Sequence, residues 1–115
     1  PLDAVRAGLE MQRRFGEWAA TLDLQQPPGL KVGIHWGPAM AVHTDQAGLD
    51  WFGGTVNLAA RCEGQAKAGQ VIWTDAVHRC PGLVDMLAED GVRFERYDAR
   101  VKGISAAVGM VRAVV

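Results

Sequence analysis

The amino-acid sequence predicts one domain of the α/β or α+β class, a sheet backed by helices, and three observations lead there. Stretches whose apolar residues recur every three to four positions alternate along the chain with stretches of period two. Packing helices on a sheet is the simplest way to bury both kinds of apolar face. The chain has 115 residues, enough for one core and too few for two ordinary ones. Hydrophobic residues at 49% and charged residues at 22% lie near the globular average, which excludes a disordered or low-complexity chain.

Leu2, Val5, Leu9, Met11, Phe15, Trp18 and Leu22 fall at helical spacing, predicting one amphipathic helix over residues 2–22. Gln26-Pro27-Pro28-Gly29 ends it, because proline lacks an N–H and constrains the residue before it. Leu30, Val32 and Ile34 alternate with Lys31, Gly33 and His35, a strand pattern closed by Gly37-Pro38. Residues 39–43 are a second strand, expected to join the first in a sheet, followed by a polar turn over 44–48 near a functional loop. Residues 55–67 are rich in helix formers and lie between Gly53-Gly54 and a terminating Gly69. Val71-Ile72-Trp73 reads as a short buried strand, with Thr74 the expected cap of a third helix starting at Asp75. After Cys80-Pro81-Gly82, residues 83–89 are helical in pattern, 92–97 alternate like an edge strand, and 108–115 are β-rich.

Twelve Lys and Arg against thirteen Asp and Glu leave a formal charge of -1, so no global basic field exists to hold a nucleic-acid polymer. The apolar C-terminal run from Ala106 is interrupted by Arg112 and is far short of the roughly 20 residues of a membrane span, so no membrane contact is expected. Cys62 and Cys80 show neither disulfide-framework nor zinc-site spacing and are expected to be reduced packing residues. The opening residues lack a signal-peptide pattern and an initiator Met, which reads as a piece cut from a longer, cytoplasmic chain.

The stretch from Asp50 to Arg61, DWFGGTVNLAAR, carries the chemistry. Asn57 and Arg61 are i and i+4 on the predicted helix, so their polar ends project from one face. The guanidinium offers a planar fork of donors that fits phosphate oxygens, and the amide offers both a donor and an acceptor. Gly53 and Gly54 let a substrate approach the backbone near a helix N-terminus, where free N–H groups favour anions. Spacing alone favours the plainer reading of a solvated Asn/Arg pair, an ordinary glycine turn and a solvated Asp50.

Leu30-Lys31-Val32-Gly33-Ile34-His35-Trp36-Gly37-Pro38, the Asp50 to Arg61 run, Gly69-Gln70-Val71-Ile72 and Val101-Lys102-Gly103-Ile104 together resemble the class III adenylate/guanylate cyclase catalytic domain. The resemblance implies a ferredoxin-like nucleotidyl cyclase fold truncated at its N-terminal side, with helices on a mainly antiparallel sheet. The chain would be the C-terminal portion of that domain. It implies that Asp50 recognises adenine, Asn57 orients the ribose, Arg61 stabilises the α-phosphate and Lys102 holds the terminal phosphates. Gly53 and Thr55 belong to the same substrate-binding motif. The expected reaction forms cyclic AMP and pyrophosphate from ATP, with GTP as the other candidate substrate.

The family's two metal-binding aspartates and its adenine-selecting lysine belong to segments preceding the region resembled here. Mg or Mn is therefore expected for the complete domain, with no metal ligand assigned in this sequence. Family sites form between subunits, which implies a homodimer or a dimer with another cyclase domain, and a fragment inactive alone. The missing strands would leave a sheet edge exposed. The rival expectation is a catalytically inactive cyclase-like module that senses a nucleotide or dimerises. His35, His43 and His78 are expected to pack rather than react, and of the four tryptophans only Trp51 is a candidate for stacking on a base.

Overall fold

The computed structural model describes residues 1–45 and 48–115, without the side chains of Val42, Thr44 and residues 48–52. In chain order the elements are α1 (Leu2–Ala20), β1 (Val32–Ile34), β2 (Met40–Thr44), β3 (Gly48–Phe52), α2 (Gly54–Gln65), β4 (Gln70–Thr74), α3 (Asp75–His78), α4 (Leu83–Glu89), β5 (Phe94–Ala99) and β6 (Val108–Val114). The main sheet has the order β1-β4-β6-β5, and β2 and β3 form a separate antiparallel pair. Within the main sheet β1 runs parallel to β4, while β4 with β6 and β5 with β6 are antiparallel. The sheet is thus mixed and mostly antiparallel, and β5 is the edge strand its alternation predicted.

Alternation along β4 divides the protein into two cores. Val71 and Trp73 pair with Ala113 and Val111 and face Val5 and Leu9 of α1, Val77 of α3, and Leu83, Met86 and Leu87 of α4. Ile72 faces the other way, into a smaller cluster with Met110, Ala99, Val101, Cys62 of α2 and Ala66 at the C-cap of that helix. Cys62 and Cys80 are free thiols, and burial pushes the Cys62 thiol up to about 11. Trp73 is fully buried, and its indole N–H donates to Nδ1 of the buried His78 at 3.2 Å, so its one polar atom is satisfied.

Helix α1 carries two stripes. Val5, Leu9 and Ala19 go inward, whereas Met11 and Trp18 stay exposed, so only part of the periodic pattern marks the core-facing side. Buried Gln12 shares the inner face and donates through Nε2 to the Leu30 carbonyl at 2.7 Å and the Gln70 carbonyl at 2.8 Å. One amide thereby ties the helix to the entries of both β1 and β4.

Three expectations need correction. β2 does not join β1 in one sheet; it pairs with β3, a strand not anticipated because its residues were read as a loop. The turn expected over 44–48 includes Gln46 and Ala47, which lie outside the described residues. Thr74 does occupy the N-cap of α3, but its side chain makes no capping bond. Its hydroxyl instead meets His35 Nδ1 at 2.6 Å, giving up a contact typically worth about 1 kcal/mol for a link between strand ends.

Helix α2 lies close against the sheet because of Gly33. A Cβ at that position would run into the Glu63 backbone, lying 2.7 Å from its Cα, so only glycine permits this approach. Among the described residues, no helix is long and apolar enough to cross a membrane.

Candidate active site

Helix α2 begins where the β2–β3 hairpin ends. Gly53, with φ of 126°, turns the chain into the helix in a conformation side chains rarely adopt, and its carbonyl accepts from the Asn57 N–H at 3.2 Å. From there Asn57 and Arg61 both project to solvent, while Cys62, next to Arg61, is buried in the smaller core.

Lys102 arrives from a distant segment by the same logic. Val101 is buried in that core, and the Ile104 N–H closes a tight turn on the Val101 carbonyl at 3.2 Å, with Gly103 at φ 86°. Arg100 donates to the Ser105 carbonyl at 3.0 Å across the same turn. Arg61 and Lys102 therefore each sit beside a buried residue of one shared cluster, Cys62 and Val101, which brings two cations together.

The result is a cleft of about 280 Å³ lined by Gly54, Asn57, Leu58, Arg61, Lys102, Gly103 and Ile104. Among the described residues its lining holds two cations, one side-chain amide and no carboxylate. Bringing like charges together costs energy unless an anion neutralises them, so this lining suits a polyanion with a polar ring beside it. The same lining does not suit a divalent cation, and among the described residues no group of three or more His, Cys, Asp or Glu could hold a metal ion.

Of the other expected site residues, Gly53 and Thr55 are not among the described lining of this cleft. Gly53 borders a separate, shallow concavity with Pro38, Ala39 and Met40. Thr55 packs against Gly37, where a Cβ would fall 2.8 Å from the Thr55 hydroxyl. Asp50 and Trp51 are on β3, opposite Val42 and Ala41, with their side chains outside the described residues. Leu58 and Ile104 line the cleft without having been anticipated as site residues, although both lie inside the quoted motifs, the signal that could have found them. His35 is half-buried and His78 buried, and burial holds both rings below the usual histidine range, with Arg96 adding to the effect at His78.

The fold is a mixed-sheet α+β domain with a cationic cleft beside a glycine-led helix, and comparison with known proteins shows its family. The adenylate and guanylate cyclase catalytic domain family model matches residues 3–109. The chain belongs to that family. It is 34% identical over 86 residues to the receptor-type adenylate cyclase GRESAG 4.1 of Trypanosoma brucei brucei, a match covering 70% of this chain and 6% of that protein. Its fold is similar to the guanylyl cyclase Cya2, with a TM-score of 0.71 and 24% identity over 97% of this chain and 56% of that one. It is also similar to the adenylyl cyclase CyaB from P. aeruginosa, with a TM-score of 0.70 and 22% identity over 99% of this chain and 58% of that one. The chain thus spans little more than half of those solved chains and a small part of the receptor-type relative.

Proposed function

We propose that this chain is the C-terminal portion of a nucleotidyl cyclase catalytic domain, and that it supplies the phosphate- and ribose-binding side of a site completed by a second subunit. The observation that carries this reading is the cleft that Asn57, Arg61 and Lys102 share, two cations and an amide drawn from segments far apart in the chain. Lys102 holds the terminal phosphates, Asn57 orients the ribose, and Arg61 meets the α-phosphate. The ribose 3′-hydroxyl loses its proton and attacks the α-phosphorus, the bond to the bridging oxygen breaks, and pyrophosphate leaves with the cyclic nucleotide as the other product. Negative charge builds on the α-phosphate oxygens as this happens, so a fixed guanidinium stabilises the transition state more than the ground state.

ATP is the substrate we assign, because the carboxylate of Asp50 accepts from the exocyclic amine of adenine, which guanine carries at a different ring position, with GTP the alternative. Both adenylyl and guanylyl cyclases occur among the similar proteins. Cyclase domains are generally metal-dependent. In this reading the metal-binding carboxylates belong to the partner subunit. The test is complementation. This chain is mixed with a metal-competent cyclase subunit whose own arginine at the position of Arg61 has been removed, and cyclic nucleotide is measured with Mg²⁺ or Mn²⁺ present. Recovered activity is expected; no recovery would contradict the proposal and favour an inactive nucleotide-sensing or dimerising module.

A further inference from the structure

The two ends of α2 are held differently. Toward its C-terminus Cys62 and Ala66 are buried, and the backbone at Glu63 rests on Gly33. Toward its N-terminus Gly54, Val56 and Asn57 are exposed, and Thr55 lies so close to Gly37 that a Cβ there would fall 2.8 Å from its hydroxyl. Gly37 belongs to the turn leaving β1, and a Cβ on it would also lie 3.7 Å from His35 Nε2. Through Nδ1, His35 bonds the hydroxyl of Thr74 at 2.6 Å, one step beyond the last β1–β4 pair, Ile34 and Trp73. Thr74 is 2% exposed and sits at the N-cap of α3, whose first N–H groups its side chain does not cap. The Thr74–His35 bond, the bend at Gly37 and Thr55, two residues before Asn57, therefore lie side by side between the end of β4 and the start of α2.

We propose that Thr74 and His35 are positioning residues that fix the N-terminal turn of α2, and with it Asn57, relative to the sheet, while Arg61 is placed independently by the buried Cys62. This rests on the role of Asn57 proposed above only for its catalytic consequence; the mechanical part stands apart from it. A hydroxyl with one donor and two lone pairs is what a ring nitrogen needs in either tautomer, and valine has the same shape without it.

Hydrogen exchange of this chain tests the mechanical part without reference to activity. In Thr74→Val the amides of Asn57 and Leu58 exchange roughly tenfold faster or more, while those of residues 62–65 are unchanged; Thr74→Ser behaves as wild type. His35→Ala, which cuts the same bond from the other side, reproduces the pattern should the valine variant fold poorly. In the complementation assay, Thr74→Val lowers kcat roughly tenfold to 10²-fold with KM little changed. It adds no further loss to Asn57→Ala and multiplies the loss of Arg61→Ala. Uniform exchange along α2, or unchanged exchange in both variants, overturns the proposal. Equal coupling to Asn57 and Arg61 also overturns it. Localised exchange changes in a protein that Arg61→Ala leaves catalytically unaffected would instead refute the proposed function and leave the positioning intact.

Discussion

The two faces of the main sheet differ in how completely they are covered. One carries α1, α3 and α4 over Val71, Trp73, Val111 and Ala113, so a continuous cluster of ten buried residues forms there. The other, among the described residues, carries α2 over a cluster of six, and beyond the helix Tyr97, Glu95 and Arg112 cover the sheet with their own side chains. Arg112 stacks 4.3 Å from the Tyr97 ring centroid and pairs with Glu95 at 2.9 Å. The difference teaches how labour is divided. The three-helix face supplies cohesion, and the single-helix face leaves room for a cleft whose charges stay accessible while buried neighbours hold them in place.

Adjacent residues on β4 provide the largest test of that division. Trp73→Ala empties the thick core and removes the partner of His78, and should cost about 3–5 kcal/mol. That is a large share of the 5–15 kcal/mol by which such domains are stable. Ile72→Val on the cleft-side face should cost only about 0.5–1.5 kcal/mol. Urea denaturation of the two variants measures both values, and a reversed order would break the comparison.

A smaller effect comes from acid. His78 lies in the thick core and His35 on the cleft side, and burial lowers the proton affinity of both below the usual value of about 6.5. Above that value both folded and unfolded chains hold the rings neutral. As pH falls through it, the unfolded chain binds protons first, so the stability contributed by neutral burial is progressively lost until the folded-state values are passed. The midpoint of thermal unfolding should therefore begin to drop just below pH 6.5, before carboxylates titrate. A flat profile down to pH 5 would contradict this.

Much of the fold was legible because periodicity and punctuation agreed. Helix α4 spans the expected residues 83–89, since Gly82 starts it and its apolar residues share one side. α2 was legible from its glycine start and helix formers. β3 was not, because glycines and a motif that reads as a loop masked the alternation that the hairpin with β2 supplies. The outer stripe of α1 was indistinguishable from the inner one, since periodicity reports a face without saying what covers it. In the site, helical geometry gave only that Asn57 and Arg61 share one face of α2; their roles came from the resemblance. Lys102 joined them only through resemblance, because nothing local tells one surface lysine from another. The Thr74–His35 bond was out of reach, as the sequence offered a nearer use for that hydroxyl as a helix cap.

The central claim is that a guanidinium on α2 acts on the reacting phosphate. Its most direct test is Arg61→Ala in the complemented pair, with kcat and KM measured separately. The account predicts that kcat falls roughly 10²- to 10³-fold while KM changes little, the signature of a contact made in the transition state. Loss confined to KM, or a variant as fast as the original chain, would contradict it.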